Sequence, residues 1–117
     1  MANNQKRRGE VWWINFDPSI GSEIQKLRPA VILSNNRSNR VLTRYQVVPL
    51  SSQVDKLYPA EVRVQINGRV SKAMADQLTT VSDQRCVSKL GELDAAQIVV
   101  VEGVVKFQLG LIAATPT

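Results

Sequence analysis

The chain has 117 residues, 44% of them hydrophobic, with fifteen Lys and Arg, ten Asp and Glu, and no His. That is the size of a single domain, residues 1–117, with a real core, and no apolar run approaches the ~18–20 residues of a membrane span. The lack of His and the single cysteine, Cys86, exclude His-activated hydrolases, an internal disulfide and a His/Cys zinc site, and a cytoplasmic location is the simplest expectation.

Taken in chain order, Met1 to Arg8 reads as a flexible polar arm whose basic residues precede no apolar stretch, so it is not a secretory signal. Val11 to Phe16, dense in Trp, Ile, Val and Phe, reads as a strand, and Asp17-Pro18 ends it because proline gives a ladder no donor. Ile20 to Leu27 is a polar loop with Gly21 as its hinge. Ala30 to Ser34, entered through Arg28-Pro29, is a short apolar run that fits a strand covered on both faces. Asn35 to Asn39 is a turn cluster, and Arg44 to Leu50 is a third strand followed by a polar loop. From Ala60 to Ile66 the chain alternates, with Val62, Val64 and Ile66 facing one way and Glu61, Arg63 and Gln65 the other. Asn67-Gly68 predicts a tight hairpin into Val70 to Ala75. Leu78 to Ser82 and Val87 to Leu90 are two more short strands.

The last segment changes period. Asp94 with Gln97 three residues on resembles a capping box, and Ile98, Val101, Val105, Leu109 and Ile112 fall on one helical face. β-Branched residues and Gly103 oppose the helix, but its length and cap outweigh them. Short strands closed by one helix give a mostly β, α+β domain: a small, strongly curved antiparallel sheet or open barrel with a C-terminal helix.

Charge is unevenly placed. The first 45 residues hold Lys6, Arg7, Arg8, Lys26, Arg28, Arg37, Arg40 and Arg44 against Glu10, Asp17 and Glu23, whereas the remaining 72 carry seven groups of each sign. Such an excess favours a polyanion or an acidic partner; charge alone leaves a merely solubilising surface equally open.

The segment from Gly9 to Asn35, GEVWWINFDPSIGSEIQKLRPAVILSN, sets Asp17, Ser22, Glu23, Gln25, Lys26 and Arg28 in a loop between two strands, a common seat for binding or catalytic groups. It resembles the N-terminal signature of the MazF/PemK family, the toxin halves of bacterial toxin–antitoxin pairs. VVPLSSQ from Val47, YPAEV from Tyr58 and ADQLTTV from Ala75 follow in order, so the likeness covers roughly Gly9 to Leu111. The resemblance implies an SH3-like barrel with a C-terminal helix, a homodimer, and a sequence-specific endoribonuclease of single-stranded RNA that an acidic antitoxin neutralises.

Residue by residue, Arg28 matches the family's catalytic arginine, and its planar fork of donors suits phosphate oxygens. By spacing alone it reads as a surface ion-pair residue. Ser51 takes the place of a hydroxyl residue that is usually threonine in the family. Alternation points Ser51 and Ser52 in opposite directions, which leaves open which of them meets a phosphate. RNA cleavage without metal or cofactor suits a chain with no His, because the 2′-hydroxyl of the substrate is the nucleophile. Arginine stays protonated, so Glu23 is put forward as a base or an RNA contact, although a solvated loop glutamate reads equally well. Phe16, Gln25, Lys26, Gln53 and Gln77 are candidates for RNA contacts, because each lies on or beside a family motif; Asp17, Ser22 and Ser52 join them. Trp12 and Trp13, adjacent on a strand, face opposite sides, one toward the core and one toward a groove or interface. Cys86 reads as an inert, buried thiol. Two rival readings share the barrel: a toxin that poisons DNA gyrase by binding, and an inactive module that binds RNA or a partner.

Overall fold

The computed structural model describes residues 5–16 and 27–113. Its strands are β1 (Glu10–Asn15), β2 (Leu27–Ile32), β3 (Arg44–Ser51), β4 (Glu61–Ile66), β5 (Arg69–Met74), β6 (Thr79–Ser82) and β7 (Cys86–Glu92). Helix α1 (Asn36–Leu42) joins β2 to β3, and α2 (Ala95–Gln108) follows β7. The strands form one antiparallel sheet in the order β4-β5-β3-β2-β1-β7, with β6 pairing the first half of β3 on the edge that β5 takes at its end. The sheet curls into a half-barrel. Its ends approach each other at the β4–β5 turn, where Asn67 Nδ2 donates to the Leu90 carbonyl on β7 at 2.8 Å.

Both faces of the central strands are covered, as the apolar run on β2 predicts: Ala30, Val31 and Ile32 are all buried. One face gathers Val11, Val31, Val48, Leu50, Val64 and Ile66 beneath Val101 of α2. The other gathers Ile14, Ala30, Ile32, Tyr45, Val47 and Val81, with Trp12, Phe16 and Cys86 packed against them. This division follows from the period of two along each strand. The hairpin forms as expected, Asn67 and Gly68 both having positive φ (54° and 77°), as a two-residue turn matching the twist of its strands requires.

Three expectations are corrected. Residues 5–8 do not form a free arm. Lys6 pairs with Asp83 at 2.6 Å and lies 4.6 Å over the Trp12 ring. Arg8 donates to the Leu33 carbonyl at 2.8 Å and pairs with Glu102. The Asn35–Asn39 cluster starts a helix instead of a turn. The Asn35 side chain accepts from the Ser38 amide at 2.8 Å, and buried Asn39 donates to the Ser34 carbonyl at 2.9 Å. Asparagine and serine make turns and N-caps by the same side-chain-to-backbone bonding, and here tertiary contact decides for the cap.

The third correction concerns α2. Asp94 caps it, accepting from the Gln97 amide at 2.9 Å. The Gln97 side chain does not return to the cap; it pairs with the backbone of Gln65 on β4, donating to the carbonyl at 2.9 Å and accepting from the amide. The buried face is Val101 and Val104, flanked by half-buried Ile98 and Val105. Leu109 and Ile112 lie beyond the helix and are exposed.

Candidate active site

The site lies where β2, β3 and the β4–β5 hairpin meet the open end of the half-barrel. A cavity of about 570 Å³ is lined there by Trp13 of β1, Leu27, Arg28 and Pro29 of β2, the run from Leu50 to Gln53, Ile66 and Asn67, Arg69 to Ser71, and Leu90. A second cavity of about 300 Å³ is lined by Phe16, Arg28, Pro49, Gln77 and Thr79. Arg28 lines both, so the larger cavity brings it to Ser51, Ser52 and Gln53, and the smaller to Phe16 and Gln77. Asp17, Ser22, Glu23, Gln25 and Lys26 lie outside the described residues.

Strand register explains the convergence. Arg28 stands opposite Ile14 on β1, and residues directly opposite in an antiparallel pair share a face. Pro49 stands opposite Ala30; Ser51, two residues on, shares that face. Carried two residues past its last pair, the β2–β3 register also sets Arg28 against Ser51. Phe16, packed on the same cluster as Ile14 and Ala30, completes this side. Trp13 points to the opposite face and lines the larger cavity, whereas Trp12 packs on the core and donates to Glu10 Oε1 at 2.9 Å. The two tryptophans therefore divide as their adjacency predicts.

The two serines differ in their bonding. Ser51 Oγ accepts from the Gln53 amide at 3.1 Å, which holds its rotamer and leaves its O–H to donate. This local bond supplies some of the order that threonine's methyl provides. Ser52 lies just past the end of β3 and is exposed. Gln77 donates to Met74 Sδ at 3.6 Å, a contact that holds the amide at the edge of the smaller cavity.

Electrostatically the larger cavity is one-sided. Arg28 and Arg69 line it and no carboxylate does, among the described residues. Among the described residues neither arginine has an ion-pair partner, in contrast to Lys6, Arg8, Lys72 and Lys89. Among the described residues no cluster of His, Cys, Asp and Glu could hold a metal ion. Burial pushes the Cys86 thiol up to about 11, with Lys6 pulling down and Asp83 pushing up, which disfavours its thiolate. What this arrangement can do is bind and polarise an anionic, phosphate-like group between guanidinium and hydroxyl donors.

Sequence reasoning missed Asn67, Arg69, Ser71 and Thr79 as site residues. Arg69 carried a readable signal. The alternation in β4 makes Ile66 an inward residue, and a tight Asn-Gly hairpin sets Ile66 against Arg69, so an arginine was due on the inner face.

The chain is similar in sequence and fold to known proteins. The family model described as PemK-like, MazF-like toxin of type II toxin–antitoxin system matches residues 7–109. The chain is 34% identical to Endoribonuclease MazF9 of Mycobacterium tuberculosis, over 90% of this chain and 97% of that one. It is 31% identical to the Endoribonuclease toxin MazF of Escherichia coli K12, over 87% and 92%. Its fold superposes with a TM-score of 0.80 on a MazE–MazF crystal structure from Deinococcus radiodurans, at 28% identity, covering 94% of this chain and all of that one. The chain belongs to the PemK-like, MazF-like toxins of type II toxin–antitoxin systems.

Proposed function

We propose that this chain is the toxin of a toxin–antitoxin pair and cleaves single-stranded RNA at specific sequences, without a metal or other cofactor. The observation that carries the reading is the pairing of Arg28 and Ser51 on one face, at a cavity lined by no carboxylate among the described residues. The names of the similar proteins, endoribonucleases at 31–34% identity, agree with it.

The chemistry asks little covalent work of the protein. The 2′-oxygen of the substrate forms a bond to the adjacent phosphorus as the bond from phosphorus to the 5′-oxygen breaks, leaving a 2′,3′-cyclic phosphate and a 5′-hydroxyl. Arg28 donates to the non-bridging oxygens as their charge grows, and the Ser51 hydroxyl adds a second donor. One proton must leave the 2′-hydroxyl and one must reach the departing 5′-oxygen. Glu23 is assigned the first transfer; a guanidinium, which remains protonated, cannot accept it. Phe16, Gln53 and Gln77 border the two cavities where bases flanking the cut would lie, and Asp17, Ser22, Gln25, Lys26 and Ser52 complete the proposed contacts.

Two protein partners belong to the same reading. An acidic antitoxin segment would lie over the basic cavity, in keeping with the MazE–MazF pairing of the similar structure. A second copy would cover apolar side chains exposed on and after α2, among them Val99, Val100 and Leu111.

The test is cleavage of a single-stranded RNA pool covering all short motifs, in EDTA, with product ends mapped. Cyclic-phosphate ends that fall about 10²–10³-fold in rate with Arg28→Ala or Ser51→Ala are expected. Intact RNA throughout would end the ribonuclease reading and turn attention to gyrase binding.

A further inference from the structure

The larger cavity holds a feature the cleavage chemistry leaves unused. Strand β5 sets Arg69 opposite Ile66, Ser71 opposite Val64 and Ala73 opposite Val62. Ile66, Val64 and Ala73 belong to the core, and directly paired residues share a face. Arg69 and Ser71 therefore stand on the inner face of the half-barrel, at its mouth, where a sheet of this kind is normally apolar. A guanidinium in such a place makes no ion pair among the described residues, and no carboxylate of those residues lines the cavity with it.

The hairpin that carries Arg69 is tied down. Asn67 Nδ2 donates to the Leu90 carbonyl at 2.8 Å. Gly91 permits this approach, because a Cβ there would come within 2.9 Å of Asn67 Oδ1 and 2.8 Å of Ile66 Cδ1. Arg69 thus starts from a fixed base, as a residue selecting a ligand should. Arg28 and Ser51 approach the cavity from the other face of the sheet. A single strand crossing the cavity would therefore meet an arginine on each side.

We propose that Arg69, with Ser71 beside it, is the seat of a second, non-scissile phosphate, so that the substrate spans the cavity with one phosphodiester at Arg28 and a neighbouring one at Arg69. This rests on the ribonuclease reading. Arg69 is a positioning residue here: it draws the strand across the mouth of the barrel and fixes its register on the cutting pair.

The test uses the full chain and a short mixed-sequence single-stranded RNA carrying 2′-O-methyl groups, which lacks the nucleophile and is only bound. Affinity is measured over a series of salt concentrations for wild type, Arg69→Gln, Arg69→Lys and, as a remote cation control, Arg40→Gln. Each phosphate contact contributes about 0.7 to the slope of log affinity on log salt for single strands. Arg69→Gln should lower the slope by about 0.7 and weaken binding about tenfold, Arg69→Lys should restore the slope, and Arg40→Gln should leave it unchanged. On cleavable RNA, Arg69→Gln should raise KM and leave kcat as it is. An unchanged slope in Arg69→Gln, or an equal loss in Arg40→Gln, would overturn the second seat while leaving the nuclease intact. A fall in kcat at constant KM would also overturn it, by placing Arg69 on the scissile phosphate. Failure of the wild type to bind RNA at all would remove the ribonuclease reading and this proposal together.

Discussion

Single residues divide between those that line the cavity and those that hold the frame. Ser51, the proposed hydroxyl donor, has an Oγ that accepts from the Gln53 amide, which limits its rotamers. Ser51→Thr is accordingly expected to cleave RNA within a few-fold of wild type, about the range of a small rotamer effect, whereas Ser51→Ala loses the donor; single-turnover rates separate the two. Lys72 belongs to the frame. Its ammonium lies 2.8 Å from Glu61 and 3.0 Å from the Lys56 carbonyl, with both charged side chains buried. Glu61 also accepts from the Tyr58 amide at 2.9 Å, so the pair fastens the YPAEV segment to β5. Lys72→Met leaves Glu61 buried without its cation and should cost about 3–5 kcal/mol. The double change Lys72→Met with Glu61→Leu should recover much of that, as urea unfolding would reveal.

Elements fail or hold at their ends and at their closest approaches. Helix α2 depends on Asp94, whose carboxylate accepts from the Gln97 amide. Asp94→Ala is expected to cost about 1 kcal/mol, read as a lower thermal midpoint with RNA binding unaffected. The hairpin depends on Gly91. Adding a methyl there presses on Ile66 and Asn67, so Gly91→Ala should cost about 1–3 kcal/mol. It should also loosen the Asn67–Leu90 tie, which hydrogen exchange at the tip of β4–β5 would report. The sequence marked this turn clearly, because Asn-Gly chemistry is local. It did not mark α1. The run NNRSN satisfies turn and N-cap rules alike, and what tips it is the burial of Asn39 against Ser34, a contact the helix itself creates. The Gln97 side chain was misread for the same reason: a local partner was available, and a backbone on β4 took its place.

At the scale of the whole molecule, pH acts through the second core. Cys86 ionises at about 9.0 when free and at about 11 here, chiefly through burial. The phenol of Tyr45 is also raised, by burial and then by its hydrogen bond to Asp83. Groups whose folded pKa is raised stabilise fully below the unfolded value and lose that contribution as pH rises through the folded one. Stability should therefore fall from about pH 9 to pH 11, and Cys86→Ala should flatten part of that decline in urea titrations at stepped pH. Charge was the least faithful sequence signal. Of the described cations in the basic first 45 residues, Arg28 lines the cavity, whereas Lys6 and Arg8 are paired and Arg37, Arg40 and Arg44 sit at α1 and the start of β3, the far end from Ser51. Arg69, from the neutral remainder of the chain, joins Arg28 there. By itself, the sequence determined what depends on neighbours along the chain. The strand periods, the Asn-Gly turn, the Asp94 cap and the motif segments bearing Arg28 and Ser51 were all legible there. Tertiary structure alone decided which distant residues come together: Arg28 and Ser51 on one face of neighbouring strands, Arg69 on the inner face, and the residues before β1 fastened to Asp83 and Glu102. Those pairings join residues tens of positions apart, and curling of the sheet brings them within reach.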